Sequence, residues 1–202
     1  MKNGASRWSG RALLVAGAAL ASACSDGSPV APLATTTVAR HGAAGADISS
    51  GNRLPDLTGC EQLAAPAGST LLLHAYGVGV QIYRWNGTTW QFVEPSATLF
   101  ADVGDKGEVA THFGGPTWKF VSGGTVVGST LDKCTPDAAS IPWLKLSAKA
   151  DGAGVFGQVN FIQRLETIGG NAPSTPGGAV GDIAKVPYTA DYLFYRAPES
   201  AQ

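Results

Sequence analysis

Residues 80–93 read Val-Gln-Ile-Tyr-Arg-Trp-Asn-Gly-Thr-Thr-Trp-Gln-Phe-Val, and this stretch sets the fold class. Two β-prone runs flank Asn86-Gly87, the favoured central pair of a type I′ turn because both residues tolerate positive φ. A two-residue turn predicts a hairpin in which Trp85 faces Thr88, Tyr83 faces Trp90 and Gln81 faces Phe92. Strand side chains alternate between faces, so Gln81, Tyr83, Trp85, Trp90 and Phe92 share one side. Val80, Ile82, Arg84, Thr89, Gln91 and Val93 share the other, which suits water better. The aromatic face is therefore expected to be core, the alternative being a platform on which a sugar or another flat ligand stacks.

The same reading extends in both directions. Residues 117–122 and 125–130 flank Gly123-Gly124 as a second hairpin, with Trp118, Phe120 and Val127 predicted to share a face. Leu144, Leu146 and Ala148 alternate with Lys145, Ser147 and Lys149, and further strands are predicted over 155–166 and 186–195. With 70–76, 98–102 and 108–113 the total reaches about nine or ten strands, and no window of a dozen residues carries a helical stripe. The fold class is all-β, a single antiparallel β-sandwich or barrel. The pattern Tyr83-x-Trp85-x-Gly87-x-x-Trp90 is similar to a propeller blade hairpin, but it does not recur at a fixed period.

Composition confines the folded part. The chain has 202 residues with 27 Gly, 12 Pro and 14% charged residues, and sixteen of its seventeen aromatic residues lie between Tyr76 and Tyr195. Lys2, Arg7 and Arg11 precede an apolar run from Ala12 to Ala21, which ends at the small residues Ser22 and Ala23. That layout predicts a signal peptide over residues 1–23, its apolar run shorter than the roughly 20 residues of a membrane span. Ordinary signal-peptidase cleavage and a lipobox reading both cut before Cys24. Lipidation explains an isolated cysteine at that point, so the expectation is a bacterial lipoprotein tethered to the membrane through Cys24, otherwise a periplasmic or secreted protein. Ser25, where inner-membrane lipoproteins often carry Asp, points to the outer membrane. Residues 24–52 are predicted to be a flexible tether, too poor in apolar surface to offset their ordering entropy, and residues 53–202 a single β domain. Removing residues 1–23 takes away three of fourteen basic side chains and none of fifteen acidic ones, changing the net charge from −1 to −4. With no basic excess to neutralise phosphates, no nucleic-acid partner is expected.

The order of short motifs carries a resemblance. Gly79-Val-Gln-Ile-Tyr83, Trp90-x-Phe92 with Pro95-x-Ala97-x-Leu99, His112-Phe-Gly-Gly-Pro-Thr-Trp118, Ile141-Pro-Trp-Leu144, Ile162-Gln-Arg164 with Thr167-x-Gly-Gly170, and Val186-Pro-Tyr-Thr-Ala-Asp-Tyr192 follow one another in sequence. This series resembles the family called domain of unknown function 3455, over nearly all of residues 53–196. The resemblance implies an exported protein without an assigned activity. The malate dehydrogenase label carried by some members finds no support, because Gly77-Val-Gly79-Val-Gln-Ile82 lacks the third glycine of a dinucleotide-binding turn and no βαβ unit surrounds it. The resemblance also implies cysteines at the position of Trp85 and near Ser174 to Gly178, and this chain has neither. Cys60 and Cys134 remain once Cys24 is set aside. An oxidising compartment would join them if their geometry allows, and the alternative is two thiols buried separately.

Candidate chemistry centres on four residues. His112 precedes a Gly-Gly-Pro turn and is placed to act as a base or ligand contact, or simply as a hydrogen-bonded histidine at a strand end. Trp118 is expected to be the more exposed aromatic. Arg164 offers a guanidinium fork to a carboxylate, with a row of Asn160, Ile162 and Glu166 on its face; the competing reading pairs it with a carboxylate such as Asp191 on a solvated surface. No metal site is expected, since Glu108 and His112 on one strand stand about 13 Å apart and there is no His-x-His pair. No cofactor motif, nucleophile elbow or phosphate loop is present. The expectation is a module binding a small molecule, glycan or protein partner near His112, Trp118, Arg164 and Asp191. An enzyme using His112 and Arg164 in a polar cavity is the alternative, and a structural surface protein a further one.

Overall fold

The computed structural model describes residues 55–198; the predicted signal peptide, the tether and Cys24 lie outside the described residues. Eight strands follow in order: β1 (Thr70–Trp85), β2 (Trp90–Phe100), β3 (Glu108–Phe113), β4 (Thr117–Phe120), β5 (Thr125–Cys134), β6 (Trp143–Asp151), β7 (Phe161–Gly169) and β8 (Ile183–Arg196). Each pairs antiparallel with the next, and β8 also pairs along almost the whole of β1, from Thr70↔Arg196 to Arg84↔Ile183, so the sheet closes into a barrel. Closure gives each of the eight strands a paired neighbour on both sides. Short 3-10 turns occur at Glu61–Leu63 and Val155–Gln158, the second occupying the start of the long strand expected over 155–166.

Eight strands replace the expected nine or ten because two pairs of predicted strands are continuous. Residues 70–76 and 80–85 form one strand through Gly77 and Gly79, and 90–93 runs on to Phe100 through Pro95. Gly77 is not a break but a point of close approach: a Cβ there would stand 2.6 Å from the Tyr192 ring.

The two hairpins depart from their predicted registers with unequal consequences. Asn86 Oδ1 accepts the backbone N–H groups of Thr88 (2.9 Å) and Thr89 (2.8 Å), so the turn spans four residues rather than two. Trp85 pairs with Trp90 and Tyr83 with Phe92. The slip is even, so the predicted aromatic face survives: Gln81, Tyr83 and Trp85 are buried, although Phe92 is 54% exposed. At Gly123-Gly124 the slip is odd. Trp118 pairs with Val126 and Lys119 with Thr125, so Val126 is buried with Trp118 and Phe120 while Val127 faces outward.

Inward residues of every strand fill the barrel with Leu99, Phe120, Leu146, Ile162, Tyr192 and Phe194 among others. The Val155–Gln158 turn covers the end where β6 stops and β7 begins, stacking Phe156 on Phe120 at 3.9 Å. A second apolar cluster lies on the outer wall, where Leu63 and Cys60 pack with Leu165, Leu193 and Tyr195. Gln163 ties it down: its Nε2 donates to the Leu63 carbonyl (2.7 Å) and its Oε1 accepts from the Tyr195 hydroxyl (2.8 Å). Cys60 and Cys134 form a disulfide with a Cα–Cα distance of 5.7 Å, fastening this outer segment to the end of β5.

Candidate functional site

At the opposite end from the Val155–Gln158 turn, the barrel interior holds a cavity of about 350 Å³. Its walls come from the last residues of β1, the first of β2, the β3–β4 turn and the segment leading into β6, with Arg164 from β7 and Tyr192 from β8. The lining mixes aromatic and aliphatic side chains with a few polar ones and contains no Asp or Glu.

His112 and Trp118 pair across β3 and β4, and both point inward. Their rings stack at 4.4 Å and 7°, and the Tyr192 ring meets both edge-on, at 5.4 and 5.7 Å. Trp118 is 1% exposed, contrary to the expectation that it would be the exposed aromatic. The reason lies on the neighbouring strand β5: a Cβ on Gly128 would stand 3.0 Å from the Trp118 ring, so the absent side chain makes room for the indole. His112 Nδ1 lies 2.9 Å from the Thr117 carbonyl, and since a carbonyl only accepts, Nδ1 carries the proton and Nε2 keeps the lone pair. Burial, aided by the Arg164 charge, lowers the His112 pKa to about 4 against the pull of that hydrogen bond, so the ring is neutral at neutral pH.

Arg164 pairs with Leu144 and Tyr192 in the sheet and lines the cavity. Its Nη2 donates to the Pro142 carbonyl (2.7 Å), which anchors one edge of the guanidinium, while Nε is buried and makes no hydrogen bond of good geometry, although the guanidinium lies beside the Tyr192 hydroxyl. Its charge reaches Tyr83, His112, Tyr188 and Tyr192. Burial holds the Tyr188 and Tyr192 hydroxyls, 3.0 Å apart, above the ordinary tyrosine range. Trp118 Nε1 is likewise buried and unpaired. The Gln81 amide nitrogen, on a residue 2% exposed, makes no hydrogen bond of good geometry, although its side chain lies beside the Tyr188 hydroxyl.

Three of the four expected site residues, His112, Trp118 and Arg164, thus meet in one cavity. Asp191 does not. It sits between the inward Ala190 and Tyr192, faces the other way, and pairs with His74 Nε2 at 3.1 Å, so it is not the partner of Arg164. Glu166 also leaves the Arg164 row, because the ladder shifts between Leu165 and Ile168 and Glu166 adopts φ 48° on the exposed surface. Gln81 and Tyr192 complete the lining and were not singled out as site residues, although their inward direction follows from the alternation Gln81-Tyr83-Trp85 and Tyr188-Ala190-Tyr192-Phe194. Among the described residues no group of three or more His, Cys, Asp and Glu is placed to hold a metal.

Beside the hairpin, the segment between β7 and β8 folds over the two tryptophans: Trp90 Nε1 donates to the Thr175 carbonyl (2.8 Å), and a Cβ built on Gly177 would stand 2.8 Å from the Trp85 Cβ. The two places where the resemblance implies a cysteine are therefore neighbours, and in this chain a tryptophan packed on a glycine occupies them.

No curated protein and no solved structure matches the chain. A family model described as "Protein of unknown function (DUF3455)" matches residues 66–196, a span that starts just before β1 and ends on the last residue of β8. Covering the whole barrel and more than half of the chain, this match places the protein in the DUF3455 family.

Proposed function

We propose that this protein is a binding module that takes one small organic molecule into the mouth of its barrel, between His112, Trp118 and Arg164. One observation carries the reading: N–H donors of Trp118, Arg164 and Gln81 are buried without good partners on residues that line a single cavity. A buried donor left unpaired costs about 1–3 kcal/mol, which a bound acceptor would recover. The volume of about 350 Å³ lies within the range of small-molecule sites, roughly 300–1,000 Å³, and favours a compact ligand over a glycan chain or a protein segment. An enzymatic reading with His112 as base is weaker, since a group with a pKa of about 4 is a poor proton acceptor at neutral pH.

Thermal shift with a panel of neutral, anionic and cationic small aromatic and short aliphatic compounds tests the reading. Binders should raise the melting temperature, and Trp118→Phe, which keeps a ring but removes the N–H, should reduce the rise. If no compound at millimolar concentration changes either the melting temperature or the tryptophan fluorescence, the reading fails.

The same proposal places the barrel outside the cytoplasm, held at a membrane through a lipidated Cys24. The Cys60–Cys134 disulfide supports an oxidising compartment. Intact-mass measurement of the mature chain should find a diacylglyceryl group on an N-terminal Cys24; an unmodified cysteine would overturn the anchor.

A further inference from the structure

We infer that the cavity is built for a monocarboxylate with a compact aromatic or short alkyl body, its carboxylate received by Arg164 and by the indole N–H of Trp118. This rests on the reading of the cavity as a small-molecule site and names the chemistry of its ligand.

The first support is charge. Arg164 brings a full positive charge into a lining that has no Asp or Glu. The ion pairs among the described residues are His74 with Asp191 and Lys145 with Asp132, and Arg164 belongs to neither. A guanidinium drawn out of water without a counter-charge is unfavourable, and an entering anion relieves it. The second support is the imbalance of hydrogen-bonding groups. Tyr83 already donates to the Gly170 carbonyl (2.7 Å) and His112 Nδ1 to the Thr117 carbonyl, whereas Trp118 Nε1, Arg164 Nε and the Gln81 amide nitrogen have none of good geometry. What the cavity lacks is an acceptor with several lone pairs, which a carboxylate supplies.

The body of the ligand follows from the rest of the lining. Tyr83, Phe92, Leu144 and Tyr192 offer ring faces and aliphatic surface and ask for an apolar group of modest size. A carboxylate suits the site better than a phosphate. One guanidinium beside a neutral imidazole matches a single negative charge, while a dianion would leave about one charge uncompensated in a largely apolar space.

Calorimetric titration of the whole protein with phenylacetate, phenylacetamide and phenyl phosphate separates these possibilities. Phenylacetate should bind about tenfold or more tighter than phenylacetamide, since a charged hydrogen-bonded pair replaces a neutral one, and also tighter than phenyl phosphate. Arg164→Gln should remove the preference for phenylacetate and leave phenylacetamide binding nearly unchanged; Arg164→Lys, which keeps the charge without the fork, should retain part of it. Proton NMR of His112 gives a readout that needs no variant: phenylacetate should raise its titration midpoint above about 4, and phenylacetamide should not. Equal binding of acid and amide within about threefold, or tighter binding of phenyl phosphate, overturns the carboxylate assignment while the cavity stands as a binding site. Absence of binding by all three, together with a silent compound panel, removes both.

Discussion

The Cys60–Cys134 disulfide joins residues 74 positions apart, and its loss has a size that follows from the chain. In the chain-entropy account, a loop of this length removes enough freedom from the unfolded state to stabilise the fold by about 4 kcal/mol. The described residues 55–198 number 144. At roughly 2.1 cal/mol/K of unfolding entropy per residue, 4 kcal/mol corresponds to a fall in melting temperature of about 13 °C. Cys60 is 1% exposed against Leu63, so replacing it with alanine adds a small loss of packing in the same direction. The Cys60→Ala/Cys134→Ala variant, followed by scanning calorimetry at neutral pH, should therefore melt about 10–15 °C lower with its β-sheet circular dichroism intact. A reducing agent should reproduce the fall in the natural sequence and leave the double variant unmoved. Amide exchange should also quicken at Leu63 and Gln163, whose bond holds the outer segment to the barrel. A fall of less than about 3 °C would refute the reasoning, because the bridge would then not be constraining the unfolded chain.

Three further outcomes follow from the geometry of the barrel interior. His112 titrates at about 4 in the fold against 6.5 ordinarily, so the unfolded chain binds the proton first; the stability tied to this group is complete above 6.5 and is lost as pH falls toward 4. The loss is about 3 kcal/mol by urea denaturation, and His112→Asn, which keeps a donor for the Thr117 carbonyl, should flatten that part of the profile; an unchanged profile contradicts the assignment. Gly77→Ala should destabilise by about 1–3 kcal/mol, since the added Cβ meets the Tyr192 ring at 2.6 Å, and a neutral effect in chemical denaturation would show that the ring yields. Trp85→Cys with Gly177→Cys should form a second disulfide once the Gly177 segment moves out by about 1 Å, since a Cβ built there stands 2.8 Å from that of Trp85 and a disulfide needs about 3.8 Å; two thiols titratable in the native protein after air oxidation would count against it.

Local patterns and distant contacts contributed to different parts of this protein. The all-β class, the inward direction of Gln81, Tyr83 and Trp85, and the alternation of Leu144, Leu146 and Ala148 were legible in the chain, because strand periodicity and turn residues act over a few neighbours. Even the misjudged Asn86-Gly87 turn kept its aromatic face, since a slip of two residues preserves parity. At Gly123-Gly124 a slip of three did not, and Val127 exchanged places with Val126. What lay beyond local pattern was set by how the strands meet. Barrel closure depends on β1 meeting β8, and the burial of Trp118 depends on the space left by Gly128. Arg164 alternates correctly with Ile162, yet its separation from Glu166 and Asp191 needed the bulge after Leu165 and the capture of Asp191 by His74. The residue types of the site could be read from the sequence, but the cavity that makes them one site exists only where eight strands bring their inward side chains to the same end of the barrel.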